Sequence, residues 1–297
     1  MKPGNMKDMT TTSFGKHFGT TRSRSLASGF SLIEMMIVAV VFTIVLGGVL
    51  NYVNLGTQRS KVEQTKVDLT QEGREFVDEF ERDIHQSGYP NCRMFNTGAN
   101  CPSLYNNSKM AVGLAFVSNT NIVMEGDVDG DGVVDSVQYQ VVDSAGNNPP
   151  TGTCPCRVQR SQVPKVNGTA PLAQATSFTV ELDNVVNSGV PGGTNAYGNG
   201  LQIAGNVLFN GGAQTNTQYY AAVSTFKDYP VFQAYDQNGT VVPLPLDITT
   251  AAGQAALASI KSIRLTVNLL GSATSGYDGK TGVRPVVTLI GNGKINN

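Results

Sequence analysis

The sequence predicts an α+β protein in which one long N-terminal helix packs against an antiparallel β-sheet head. Three patterns lead to this prediction. An apolar run fills residues 30–50, helical periodicity continues to residue 87, and short segments separated by turn residues fill the rest of the chain. The expected organisation is a leader at 1–29, a helix at 30–88 and a head at 89–297.

The apolar run is long enough to cross a membrane. At about 1.5 Å per helical residue, residues 30–50 extend over about 30 Å, the thickness of a bilayer's hydrocarbon core. The segment before it holds five Lys or Arg and one Asp, so the positive-inside rule predicts a cytoplasmic N-terminus and an exported head. Glu34 is the only charged residue in the run, and a carboxylate is unfavourable enough there to indicate a function.

The helix is predicted to continue past the membrane because residues 51–87 keep a helical pattern. One stripe contains five apolar residues spaced 7, 7, 4 and 4 apart: Val62, Leu69, Phe76, Phe80 and Ile84. Charged residues cover the opposite face, so the stripe is expected to pack on the head. The helix should end at Gly88, since Pro90 follows this glycine C-cap.

Alternating and turn-rich segments predict the elements of the head. They are strands at 110–117, 121–125, 134–142, 157–163 and 177–185, a hairpin at 229–246 that turns at Asn238-Gly239, a helix at about 250–259, and strands at 260–270 and 283–290. Residues 187–217 are dense in Gly and Asn and are predicted to be a long insertion.

The start of the apolar run, GFSLIEMMIVAVVF, resembles the prepilin signal of type IV pilins and type II secretion pseudopilins. In that family a prepilin peptidase cleaves after the glycine and methylates the new N-terminus, which the resemblance places at Gly29 and Phe30. The family's glutamate at the fifth mature position falls on Glu34. Its partner is the N-terminal amine, either one helical turn away in the same chain or, as the resemblance favours, in a neighbouring subunit.

The segment ERDIHQSGYPNC at 81–92 is similar to the end of the long helix in PilW-like minor pilins and J-type pseudopilins. The resemblance implies a minor pilin or pseudopilin that takes part in assembly, by priming or at the tip, of a type IV pilus or a type II secretion pseudopilus. The implied partners are the prepilin peptidase, other pilin subunits and the inner-membrane assembly platform. The head is then periplasmic or extracellular, and the mature subunit ends in the filament.

A filament-displayed adhesin or ligand-binding head is the alternative function, with the predicted insertion or the acidic loop described below as its contact surface. Enzyme activity is not predicted, because His85 is the only histidine after the leader and no nucleophile motif accompanies it. The net charge of −1 gives no indication of nucleic-acid binding.

Four cysteines lie in the exported part of the chain, where disulfides form. Cys92 and Cys101 bracket a short loop and are the favoured pair. Cys154 and Cys156 are separated by one residue, so a bond between them would be strained. A pattern that joins the two pairs is the alternative.

Residues 126–140 contain a candidate Ca²⁺ loop, the one cofactor site that the sequence suggests. The oxygen ligands would come from four carboxylates and one carbonyl, those of Asp127, Asp129, Asp131, Asp135 and Val133. Gln138 stands where an EF-hand has a bidentate glutamate, and strand patterns flank the loop, so this is not an EF-hand. The alternative is a β-hairpin whose aspartates cap their own turn.

Overall fold

The computed structural model describes residues 29–91, 94, 107–143, 145–150, 153–154, 156–187, 202–203, 229–271 and 285–295. The chain divides into two units, residues 1–52 and 53–297. Helix α1 (Leu32–Gln86) begins in the first unit and ends in the second.

The first part of α1 has the character that the sequence predicts. Every described residue from 29 to 61 is exposed, and α1 is long and apolar enough to cross a membrane by length and composition. Apolar surface of this kind is stable in a bilayer or against other apolar helices. The predicted span at 30–50 therefore lies on α1 from Leu32 onward, and α1 begins two residues after and ends two residues before the predicted helix at 30–88.

The described part of the head contains eleven strands and a second helix. They are β1 (Leu114–Val117), β2 (Asn121–Gly126), β3 (Asp135–Val142), β4 (Thr153–Cys154), β5 (Cys156–Pro164), β6 (Thr179–Val185), β7 (Gln202–Ile203), β8 (Phe232–Asp236), β9 (Leu246–Asp247), α2 (Ala251–Ser259), β10 (Ile260–Leu270) and β11 (Val286–Lys294).

Nine of these strands form one antiparallel sheet. Its order is β11-β10-β6-β5-β3-β2-β1-β9, and β8 also pairs with β10, while β4 and β7 form a separate parallel pair. β11 follows β10 along nearly its whole length, from Ser262 opposite Lys294 to Leu270 opposite Val286. The predicted α+β architecture, a long N-terminal helix and an antiparallel sheet, is confirmed.

The core lies between the second part of α1 and this sheet. All five residues of the predicted apolar stripe are buried. Phe80 stacks on Phe232 of β8 at 5.8 Å between ring centroids and meets the edge of Tyr139 of β3 at 5.4 Å. Aromatic contacts of this geometry add to the burial of apolar area, so the stripe joins the helix to both halves of the sheet.

β11 crosses α1 at very short distance, and glycines make the approach feasible. A Cβ atom on Gly73 of α1 would lie 1.8 Å from Leu289 Cδ1, and one on Gly291 would lie 2.7 Å from Val77 Cγ1. Since no side chain larger than hydrogen fits at either position without movement of a neighbour, these glycines allow β11 to pack closely on α1. The last strand predicted from the sequence ends at residue 290 and does not include Gly291.

Two predicted elements differ from the structure for local reasons. The first strand begins at Leu114 because the Val112 amide donates to the Glu125 side chain instead of a ladder partner. The hairpin keeps its turn, with Gly239 at φ 75°, but its returning arm pairs only through the bridge of Tyr235 and Val241. Prolines in that arm lack the amide that a ladder needs. Most of the predicted insertion at 187–217 lies outside the described residues.

Candidate functional site

The predicted cleavage junction lies immediately before α1. Gly29, Phe30 and Ser31 are not helical, and the Ser31 carbonyl accepts the amides of Glu34 at 3.0 Å and Met35 at 3.2 Å, which starts the helix. Gly29 and Phe30 are both exposed. A peptidase can reach an exposed bond outside regular structure, so the geometry suits processing at this point.

Glu34 lies in the first turn of α1, where the helix dipole favours a negative charge. Its side chain is exposed, and none of the ion pairs between described residues includes it. A carboxylate in a bilayer needs a partner. The amine that cleavage would create at Phe30 is four residues away along the chain, and the amine of a neighbouring subunit is the other candidate.

A buried polar network fixes the far end of α1 to the sheet. Asp83 of α1 is fully buried, and its Oδ2 accepts from the Tyr139 hydroxyl at 2.6 Å and from Arg160 Nη2 and Nε at 2.7 and 2.9 Å. Burial, together with the Asp83 charge, raises the pKa of Tyr139 well above its ordinary value, so the hydroxyl stays protonated and donates. These contacts fix how this part of α1 is rotated about its axis and where it lies along that axis relative to the sheet.

Sequence analysis missed this network. Asp83 and Arg160 are 77 positions apart, and neither belongs to a recognisable motif. One signal was available: Asp83 directly precedes Ile84 of the apolar stripe, so a carboxylate there borders the buried face and needs a cationic or hydrogen-bonding partner. Arg160 also lies 5.8 Å from the Tyr139 ring centroid, a cation–π distance.

A second buried ion pair lies beside the end of α1. Lys165 Nζ contacts Glu125 Oε2 at 2.5 Å and donates to the Met110 carbonyl at 2.8 Å, and both charged side chains have no exposed area. Burial raises the pKa of Glu125, while Lys165 opposes that shift. The backbone carbonyl of Glu125 also accepts the Gly88 amide at 2.8 Å, and this hydrogen bond joins β2 to the C-terminus of the helix.

The acidic loop connects β2 to β3. Carboxylate oxygens of Asp127, Asp129 and Asp131 lie within 4.8 Å of one another, which fits the spacing of ligands around one cation. The carboxylates also accept amides of their own loop: Asp127 accepts from Gly130 at 2.8 Å and from Gly132 at 3.1 Å. The loop is thus a hairpin whose aspartates cap their own turn, and Ca²⁺ binding stays a prediction.

Asp135 and the carbonyl of Val133 are the other two predicted ligands of the Ca²⁺ loop. Asp135 is outside the group of three and accepts from Gln162 Nε2 at 2.7 Å. Burial first, and then the neighbouring aspartates, raise the pKa of Asp135 above its ordinary value. Val133 donates its amide to Asp131 at 2.7 Å.

The structure describes only some of the predicted cysteines, together with His85. Cys156 is buried and disulfide-bonded. Cys92, Cys101 and the side chain of Cys154 lie outside the described residues, so the pairing stays a prediction. His85 is exposed on α1, as expected for a surface histidine.

The comparisons with known proteins agree with the N-terminal geometry. A family model described as the prokaryotic N-terminal methylation motif matches residues 24–50, which include Gly29, Phe30 and Glu34. No curated protein and no solved structure matches the chain. The motif implies processing by prepilin peptidase and assembly with other pilins. It supports a type IV pilin-like family for this chain, which is consistent with its long apolar helix and antiparallel sheet.

Proposed function

We propose that this chain is a minor pilin or pseudopilin of the PilW-like or J-type kind. Prepilin peptidase cleaves it after Gly29 and methylates Phe30. The mature subunit stays in the inner membrane through the start of α1, with its head periplasmic, until the assembly platform adds it to a type IV pilus or a type II secretion pseudopilus. There it primes assembly or stands at the tip.

One observation carries this proposal: the methylation motif continues without interruption into α1. The matched residues end at 50, while the helix runs on to Gln86 and buries one face against the head from Val62 onward. A helix that is exposed and apolar in its first part and docked on a sheet in its last part suits a subunit that moves from a bilayer into a bundle of like helices. No such continuity is needed for a simple membrane anchor.

Glu34 would act as the assembly charge. Cleavage creates a positive amine at Phe30, and both charges are unfavourable in an apolar surrounding unless they are paired. When an incoming subunit brings its Glu34 against the amine of a subunit already in the filament, both charges are neutralised at once. The pairing thereby favours correct axial placement over misplacement.

The test compares Glu34→Ala with Asp78→Ala in cells that make the filament. Asp78 is a matched control because it is an exposed acid on the same helix beyond the predicted span. Both variants should be cleaved normally, but only Glu34→Ala should be depleted from sheared filaments. Normal incorporation of Glu34→Ala would refute the assembly role, and an uncleaved wild-type chain would refute the family assignment.

A subunit that primes assembly is needed for filaments to start, even at low copy number. Deletion of the chain should therefore abolish or sharply reduce filament number while leaving any filaments normal in composition. Normal filaments that fail only in attachment would favour the adhesin instead.

A further inference from the structure

Strands β8, β10 and β11 present an open face on the side of the sheet away from α1. Their other side is covered, because Phe232, Ile263 and Leu265 are buried in the core and Gly291 lies against α1. Side chains alternate between the two sides of a strand, so the residues between these point outward. They are half-buried or exposed and define the outer face: Gln233, Tyr235, Ser262, Arg264, Asn292 and Lys294.

The strand register arranges these side chains in two adjacent rows. One row is Tyr235, Ser262 and Lys294, and the next is Gln233, Arg264 and Asn292. Residues that pair across neighbouring strands share a face, and diagonal neighbours on that face are about 7–8 Å apart. Arg264 is diagonal to both Tyr235 and Lys294, so one aromatic ring and two cations surround Ser262.

The two cations of the outer face have no acidic partner among the described residues, since none of the ion pairs there includes Arg264 or Lys294. The acids that border the face are held by backbone amides. Asp236 accepts two amides of its own turn at 2.8 Å, and Glu81 of α1 accepts an amide of β11 at 2.7 Å. Charge complementarity therefore identifies the ligand of this face as an anion.

Tyr235 supplies an aromatic surface beside the cations. Its hydroxyl donates to Oε1 of Gln233, two residues earlier on the same strand, at 2.6 Å. The ring therefore leans along β8 instead of standing straight out from the sheet, and the hydrogen bond holds it in that position. Val241 forms a bridge to Tyr235 and is 49% exposed, so it extends the apolar surface next to the ring.

We propose that the outer face binds an acidic polysaccharide, a polymer of sugars that carry carboxylates. The C–H side of one sugar ring packs on Tyr235, whose ring face carries partial negative charge. A sugar carboxylate accepts two parallel hydrogen bonds from the guanidinium of Arg264, and Lys294 binds a carboxylate further along the polymer. Ser262 and Asn292 hydrogen-bond to sugar hydroxyls.

The shape and composition of the face favour this ligand over other anions. Small molecules bind in concave pockets, whereas an open sheet face suits a polymer that contacts it at several points. Two cations on a chain of net charge −1 fall short of the strongly basic surface that holds a phosphate backbone. An acidic protein supplies carboxylates but no sugar ring to pack on Tyr235.

Retention of the purified full chain, in mild detergent, on immobilised polygalacturonate tests the proposal. The comparison supports are neutral dextran, poly-glutamate and single-stranded oligothymidylate. The wild type should be retained on polygalacturonate at physiological ionic strength, more weakly on the other two anionic polymers, and not on dextran. No retention on polygalacturonate, or equal or stronger retention on poly-glutamate or oligothymidylate, would overturn the inference.

Substitutions assign the binding to the outer face. Arg264→Gln should weaken binding to polygalacturonate by about tenfold, the effect of losing a paired, charge-assisted contact. Arg264→Lys keeps the charge but not the paired geometry and should weaken binding less. Tyr235→Ala should weaken it by about twofold to tenfold. Lys109→Gln is the matched control, because it removes one exposed positive charge outside this face, and it should leave binding unchanged.

The variants are expected to keep the wild-type melting temperature, since their side chains are at the surface, and Lys294→Gln is the second test of the cations if Arg264→Gln fails to fold. Unchanged binding in the folded cation variants or in Tyr235→Ala, or an equal loss in Lys109→Gln, contradicts the assignment.

The inference goes beyond the proposed function and is tested separately from it. A chain that binds polygalacturonate through this face but is never cleaved after Gly29 leaves the inference standing while the proposed function fails. A chain that is cleaved and enters filaments but does not bind the polymer leaves the proposed function standing while the inference fails.

Discussion

Replacing Asp83 with alanine should destabilise the packing of α1 on the sheet more than replacing any exposed residue of that helix. The carboxylate is fully buried and accepts three hydrogen bonds from two partners. Without it, Arg160, whose side chain is only 11% exposed, loses its buried counter-charge, and the Tyr139 hydroxyl loses its acceptor.

The expected loss is about 3–5 kcal/mol in the free energy of unfolding, the range for removing one partner of a buried ion pair. Tyr139→Phe should cost about 0.5–1.5 kcal/mol, the net value of one hydrogen bond, because Arg160 still neutralises Asp83. Arg82→Ala should change stability by less than about 1 kcal/mol. Arg82 is the control because its side chain is 60% exposed and its Nε lies 3.8 Å from Asp83 Oδ1, beyond hydrogen-bond distance.

Urea unfolding of the detergent-solubilised chain, followed by circular dichroism, measures all three variants. The expected order of loss is Asp83→Ala, then Tyr139→Phe, then Arg82→Ala. If Asp83→Ala were no more destabilising than Arg82→Ala, the network would not be what holds α1 on the sheet.

Three further predictions concern packing and the acidic loop. Gly73→Ala should lower the free energy of unfolding by about 1–3 kcal/mol, because the added Cβ forces Leu289 aside. Gly56→Ala is the control, since nothing lies within 4 Å of the added Cβ, and it should raise the free energy of unfolding by about 0.5–1 kcal/mol. Equal effects of the two substitutions in urea unfolding would contradict the close approach of β11. Because the pKa of Asp135 is raised, the folded state holds its proton more tightly than the unfolded state, so wild-type stability should fall as pH rises from about 4 through that pKa. Asp135→Asn should make this fall shallower without removing it, since burial also raises the pKa of Glu125, and parallel pH profiles of melting temperature for the two proteins would disprove the contribution of Asp135. Added Ca²⁺ should raise the melting temperature of the wild type and not of Asp129→Ala, and the absence of any rise in the wild type would end the calcium prediction.

The helix and its docking face could be predicted because they depend on local periodicity. Val62 through Ile84 repeat at helical spacing, and burial of that stripe follows from the repeat alone. Thr250 illustrates the same point for α2, since its hydroxyl accepts the Gly253 amide at 3.0 Å, as the N-cap of a short helix should.

The buried charges could not be predicted because they depend on which strands become neighbours. Arg160 reaches Asp83 only because β5 lies beside β3 across from α1. In the sequence, Gly291 and Gly293 suggest that the last strand has ended, because glycine weakens a strand. In the structure they lie in β11 where it crosses α1, and a Cβ atom at either position would contact Val77 or Ile84 of the helix. In the acidic loop, three of the four predicted carboxylates lie close together, while Asp135 accepts a hydrogen bond from Gln162 on another strand.

The most direct test of the account is the N-terminus of the chain in sheared filaments, read by mass spectrometry. The account predicts a peptide that begins at N-methylated Phe30 and is recovered from the filament fraction, together with loss of that peptide in a Gly29→Leu variant. A chain that still carries residues 1–29, or a mature chain that stays in the membrane and never reaches filaments, would contradict it.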